Sequence, residues 1–159
     1  MIPSEAMATG FDEARLGELI GSIRSARAWP AGLVDRLAAL ARDPDDFTAY
    51  RVNPLAFARD AGVEAADGIA LFLVAAKHGL FAMHWDLLCT GCGDLVERFD
   101  SLSFMHSTYH CGICQTDYQA TLEDSIEVSF TLSPAVRDLR ASHPDQLSPE
   151  EYYYRWLFN

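Results

Sequence analysis

Apolar side chains in the first half of the chain recur at the spacing of amphipathic helices. Between Phe11 and Ala28, Leu16, Leu19, Ile20 and Ile23 fall on one stripe, and Asp12, Glu13 and Glu18 sit near the start, where a helix dipole favours carboxylates. Trp29-Pro30 ends that element. Leu33, Val34, Leu37, Leu40 and Ala41 predict a second helix over residues 31–42, broken by Asp43-Pro44. Asn53-Pro54 reads as an N-cap followed by proline at the first helical position, opening a short helix to Asp60 that Gly62 stops. A longer helix over 64–78 follows, with Gly79 as its C-terminal cap. The period then changes to two. Phe81, Met83, Trp85 and Leu87 face one way and Ala82, His84, Asp86 and Leu88 the other, which predicts a strand. Helices joined by a tight glycine turn and running into a strand follow the order of a winged-helix domain.

The second half has a different texture. Short extended pieces bracket four cysteines, and Ile126–Leu132 alternates in a way that buries Ile126, Val128, Phe130 and Leu132. Ser133-Pro134 ends that strand, and residues 135–141 fit one or two helical turns. Ser148-Pro149-Glu150-Glu151 supplies a capping box for a short terminal helix. The expected class is α+β: a flexible tail (1–10), a winged-helix-like helical subdomain (11–88) and a four-cysteine zinc ribbon with short antiparallel strands and a C-terminal helix (89–159). No Gly/Ser linker separates the halves, so they are expected to pack together.

The cysteines form Cys89-Thr-Gly-Cys92 and Cys111-Gly-Ile-Cys114, two pairs eighteen residues apart. Two residues between ligands let the chain turn back so that both thiolates meet one ion. Two such knuckles supply the four sulfurs of a closed tetrahedral site. Cys89, Cys92, Cys111 and Cys114 are therefore the candidate metal ligands, and structural Zn2+ is the expected occupant. Iron of the rubredoxin kind satisfies the same spacing. A dithiol redox centre fits less well, because that chemistry uses one C-x-x-C in a βαβ context. Four protein ligands leave no position for a substrate or an activated water.

Charge narrows the partners. The 159 residues carry a formal net charge of −11, with 8 basic and 12 acidic groups in residues 1–88 and 4 and 11 beyond them. Nucleic-acid affinity comes mainly from Lys and Arg on phosphates, and Lys77 is the single lysine. Arg24, Arg27, Arg36, Arg42, Arg51, Arg59 and Lys77 could form a basic face on the helical half. Glu64 and Asp67, however, share the candidate recognition helix with Lys77. The longest apolar run, Ile69–Ala76, is eight residues, far short of the roughly 20 needed to cross a bilayer. With no secretory pattern at the start, the expectation is a cytoplasmic protein that does not engage a membrane.

Other side chains have plain readings. His84 and Asp86 share a strand face and could orient one another, but nothing else converges on them, so a partly exposed edge is expected. His106 and His110 flank the second knuckle, where a full set of cysteines leaves them beside the site or on the surface. His143 lies in a loop, and Phe81 and Trp85 read as core. No nucleophile elbow, phosphate loop or carboxylate pair emerges, so the chain is expected not to be an enzyme. Tyr152–Phe158 carries five of the eighteen aromatics. A helix apolar all round is buried on more than one side, which points to a protein partner, a downstream domain or self-association through Tyr153 and Trp156.

Several of these stretches together resemble a known domain. They are Asn53-Pro-Leu-Ala-Phe-Ala-Arg59, the long apolar helix, Trp85-Asp-Leu-Leu-Cys89, the two C-x-x-C pairs, Ile126-Glu-Val-Ser-Phe130 and Ser133-Pro-Ala-Val-Arg137. They resemble the uncharacterised zinc-ribbon-containing domain found ahead of bacterial class III adenylate/guanylate cyclase catalytic domains, over roughly residues 50–159. The resemblance places that domain's metal cysteines on Cys89, Cys92, Cys111 and Cys114. It implies a regulatory or interaction module of cyclic-nucleotide signalling. Thr90 departs from the proline common in such knuckles, which loosens the turn but spares the ligands. The rival expectations are a winged-helix zinc-ribbon transcription regulator reading DNA through residues 64–78, and a rubredoxin-like redox protein.

Overall fold

The computed structural model describes residues 10–152. The helices begin and end where local chemistry dictates. α1 (Glu13–Ala26) is capped by Asp12, whose carboxylate accepts the Arg15 N–H at 2.8 Å. α2 (Leu33–Arg42) starts after Gly32, which sits at φ 75°. α3 (Pro54–Ala61) starts on Asn53, whose side chain accepts from the Leu55 and Ala56 amides, and Gly62 ends it in the left-handed region. α4 (Ala65–Lys77) crosses α3 at Gly68. A Cβ there would lie 2.6 Å from the Ala58 Cβ and 2.7 Å from the Pro54 carbonyl oxygen, so only glycine lets the two helices touch this closely.

Beyond α4 come β1 (Phe81–Leu88), β2 (Leu95–Phe99), β3 (Thr108–Cys111), β4 (Thr116–Gln119), the one-turn α5 (Leu122–Ser125) and β5 (Ile126–Leu132). β1 is the middle strand of a three-stranded antiparallel sheet in the order β2-β1-β5, and β3 and β4 form a separate two-stranded ribbon. β1 meets β5 from Phe81↔Leu132 to Leu87↔Ile126 and meets β2 from Trp85↔Phe99 to Leu88↔Leu95, with a bulge at Leu87/Leu88. The fold is thus α+β, and elements on both sides of residue 88 share one sheet.

They also share one core. Leu16, Leu37, Phe72 and Phe81 pack with Phe130, Val136 and Leu139 from beyond the cysteines. Phe72 is the hub, with Phe57, Phe81 and Phe130 ring centroids each 5.2 Å away. A second, smaller core consists of Leu87, Cys89, Phe99, Tyr109 and Cys111.

Two details differ from the sequence expectations. β5 does not have one wet face near its end: Ser129 and Thr131 are buried along with Phe130 and Leu132. The segment Ala49–Asn53 runs beside it, with the Val52 N–H on the Phe130 carbonyl at 2.7 Å and the Leu132 N–H on the Ala49 carbonyl at 2.9 Å. Residues 135–141 form no α-helix; a turn after Ser133 leads to a 3-10 turn at Arg140–Ser142. The capping box is present, with Ser148 and Glu151 exchanging side-chain-to-backbone hydrogen bonds at 2.9 and 3.2 Å. Tyr153, Trp156 and most of the expected flexible tail lie outside the described residues.

Candidate metal centre

β1 delivers the first knuckle. Cys89 continues the strand, its N–H bonding the Asp94 carbonyl at 2.8 Å, and the Gly93 N–H returns to the Cys89 carbonyl at 2.8 Å. Gly93 makes that return at φ 76°, where a side chain would be strained. β3 delivers the second knuckle. Cys111 ends the strand, the Gln115 N–H bonds its carbonyl at 2.9 Å, and Gln115 itself turns the chain at φ 54°.

The two turns bring all four sulfurs within 4.8 Å of one another. Cys89 Sγ lies 3.8 Å from Cys114 Sγ, and Cys92 Sγ lies 3.7 Å from Cys111 Sγ. A disulfide would require about 2.05 Å. A tetrahedron with metal–sulfur bonds of about 2.3 Å has edges of about 3.8 Å, so the spacing between the sulfurs fits a four-thiolate cation site. Cys111 and Cys89 are buried, Cys114 is half-buried and Cys92 is exposed.

The thiols are electrostatically unequal. Burial opposes ionisation of Cys89, but the backbone N–H groups of Cys92 and Gly91 and the neighbouring thiols outweigh it and lower its pKa to about 7. The Asp94 amide favours a Cys92 thiolate, yet desolvation and the three other sulfurs push that thiol up to about 12. The cluster stabilises one thiolate readily and then resists the next. A cation reverses that order, because a metal-bound thiol is deprotonated outright.

Neither neighbouring histidine joins the sulfurs. His106 is exposed. His110, also exposed, pairs through Nδ1 with Asp117 Oδ1 at 2.7 Å. His143 bonds Asp138 through Nε2 at 2.8 Å. The expectation for His84 and Asp86 is corrected: they do not form an exposed edge, because β1 has a strand on each side. Asp86 is 0% exposed and accepts from Arg98 Nε at 2.7 Å, Arg51 Nε at 3.1 Å and Ser129 Oγ at 2.5 Å. Burial raises the carboxyl pKa, but Arg98, Ser129 and Arg51 together bring it below the ordinary value. Arg51 reaches this position from a backbone at φ 52°. His84 faces Asp100 at 3.3 Å, and burial pushes its pKa down.

Sequence reading missed this network because its members, Arg51, Asp86, Arg98 and Ser129, come from four separate stretches. The available signal was that Arg51 and Arg98 are two of only 12 basic residues. A groove of about 790 Å³ opens beside Arg51, between α2, the α2–α3 loop and α3, with Phe47, Val52 and Phe57 among its walls. Its polar groups are largely paired internally: Arg36 donates to the Asp60 carbonyl at 3.1 Å, and Asn53 to Glu127 at 2.8 Å.

Most arginines of the helical half are also paired with carboxylates. Arg24 meets Asp35 at 2.6 Å, Arg27 meets Asp67 at 3.4 Å, Arg59 meets Asp60 at 3.1 Å, and Arg42 grips Glu13. On α4 the exposed side chains include Ile69 and Leu73. Among the described residues no helix is long and apolar enough to cross a membrane.

No curated protein and no solved structure matches the chain. Residues 17–159, which hold both knuckles and the strands that carry them, match the family of unknown function DUF5939, and the chain belongs to that family.

Proposed function

We propose that this chain is a non-enzymatic regulatory or protein-interaction module whose ribbon folds around a structural zinc ion. The observation that carries the reading is the sulfur geometry: four thiols from two knuckles at near-tetrahedral spacing. Four thiolates fill the shell, so the ion holds the fold and has no open position for a reaction. A reducing cytoplasm would keep these sulfurs available as ligands.

The second core supports the same view. Two of its five buried residues are the ligands Cys89 and Cys111. Apolar burial there is small, and binding free energy of about 10–16 kcal/mol, typical of structural zinc, would be folding energy. The resemblance carried by Trp85–Cys89 and the flanking stretches supports placement in cyclic-nucleotide signalling. A protein partner is favoured over DNA because most arginines of the helical half are engaged by carboxylates and α4 exposes apolar groups.

Elemental analysis of the purified chain is expected to find near one zinc per chain. A red, visibly absorbing protein would instead establish iron. Loss of neither metal nor melting temperature in Cys111→Ser would end the structural-metal reading. The signalling assignment predicts a class III cyclase catalytic domain encoded in the reading frames of family members. Reading frames without one would remove that part alone.

A further inference from the structure

The cysteines are not the whole of the sulfur site. Tyr109 and Tyr118 are directly opposed in the β3–β4 ribbon, and their rings stack with centroids 5.6 Å apart at 23°. Both hydroxyls reach the first knuckle. Tyr109 Oη accepts the Thr90 N–H at 3.0 Å and so fixes the middle of the turn. Tyr118 Oη lies over Gly91, where a Cβ would be 2.4 Å from that oxygen, 3.1 Å from Tyr118 Cζ and 3.3 Å from Cys114 Sγ. Gly91 does not have the positive φ of Gly93, so glycine is needed here for space and not for backbone freedom.

The donors around the sulfurs show what the hydroxyl contributes. Cys89 faces the N–H groups of Gly91 and Cys92, Cys92 faces that of Asp94, and Cys111 faces that of Cys114. Cys114, half-buried, borders the same space as the phenol of Tyr118: the position a Gly91 Cβ would take lies 2.4 Å from Tyr118 Oη and 3.3 Å from Cys114 Sγ. Four thiolates around a dication leave two negative charges on sulfur, and donors placed on the sulfurs spread that charge and orient the ligands.

We propose that Tyr118 is a positioning residue of the metal centre: its hydroxyl donates to the Cys114 sulfur, and Gly91 lacks a side chain in order to admit it. The inference rests on the metal reading above and deepens it, because it assigns to Tyr118 the retention of the ion on its half-buried Cys114 side.

The test uses the full chain loaded with Zn2+ or Co2+, its Tyr118→Phe and Gly91→Ala variants, and the double variant. Tyr118→Phe keeps the stacked ring and is expected still to bind one metal per chain. It should lose metal to excess EDTA about tenfold faster or more, the scale on which such supporting partners act. The thiolate-to-cobalt absorption should move to lower energy as Cys114 becomes more electron-rich. Gly91→Ala alone should also speed release, by displacing the hydroxyl. In the Tyr118→Phe background the same alanine should cost less, since the 2.4 Å clash partner is gone. Replacing Tyr118 with 3-fluorotyrosine, a stronger donor on the same ring, should move both readouts the other way and keeps the test valid if the phenylalanine variant folds poorly. Equal release and an unshifted cobalt band in Tyr118→Phe, or strict additivity of the two substitutions, would overturn the role of Tyr118 while leaving the metal centre standing. A wild-type chain that takes up no metal would overturn both.

Discussion

The two cores of this protein are built on different physics. Around Phe72, aromatic and aliphatic side chains from α1, α2, α4, β1 and β5 exclude water on all sides, and the hydrophobic effect suffices. Around Cys89 and Cys111 there are too few apolar groups for that, and polar atoms with metal affinity occupy the centre. On the proposed metal reading, one chain holds a core built by apolar burial and a second that an ion completes, joined by the paired strands β1 and β5. Asp86 sits on β1 between them, and its two arginines come one from each side: Arg51 from the helical region and Arg98 from β2.

Removing the ion should separate the regions most sharply. With Zn2+ chelated, or in Cys111→Ser, the ribbon is expected to lose on the order of 10 kcal/mol of stabilisation. Hydrogen exchange should then become fast in β3 and β4 while the amides of α1 and α4 stay protected. Loss of protection in both regions at once would show that the larger core is not self-sufficient.

The converse substitution is Phe72→Ala. Truncating a fully buried aromatic costs about 3–5 kcal/mol, so the denaturation midpoint should fall steeply with metal stoichiometry unchanged in the folded fraction. Asp86→Ala attacks the joint between the regions. It leaves two arginines beside a buried gap and is expected to cost about 3 kcal/mol, within the range for breaking a buried ion pair, with both regions weakened together.

The same carboxylate gives a pH signature. Its pKa in the folded chain is depressed, so the folded state binds fewer protons than the unfolded chain, whose carboxyl titrates near ~3.9. Its contribution is fully present above that pH and is lost as the pH falls through the lower, folded value. Acid titration of unfolding should therefore be shallower in Asp86→Asn. The smallest expected effect is local: Asn53→Ala removes the cap of α3 and should cost about 1 kcal/mol, read as a modest drop in melting temperature with the sulfur site untouched.

What could be read from sequence was whatever a few neighbouring residues decide among themselves. Asn53, Gly62 and Gly79 mark helix ends through their own backbone and side-chain chemistry, and the cysteine spacing announces two knuckles. The relations that escaped depend on strands meeting across the fold. Asp86 appeared half-exposed because nothing near it in the chain shows that β2 and β5 flank it. Ser129 and Thr131 appeared to face water because the segment that covers them, Ala49–Asn53, lies far upstream. Tyr118 drew no sequence reading, because only the pairing of β3 with β4 brings its hydroxyl over Gly91.

The pairing of Leu87 with Ile126 has a kinetic consequence. Everything from Leu88 to Ser125 is an excursion that departs from one strand and rejoins its immediate neighbour. β5 cannot register against β1 until that loop closes, and closing a long flexible loop has an entropic cost that grows with its length. On the proposed reading, a cation gathered by the two knuckles would tie the loop off near its base and shorten the search for β5. Since Phe130 and Leu132 complete the larger core only after that search succeeds, the availability of metal would set the pace at which the whole molecule folds, including the part whose final stability owes nothing to the ion.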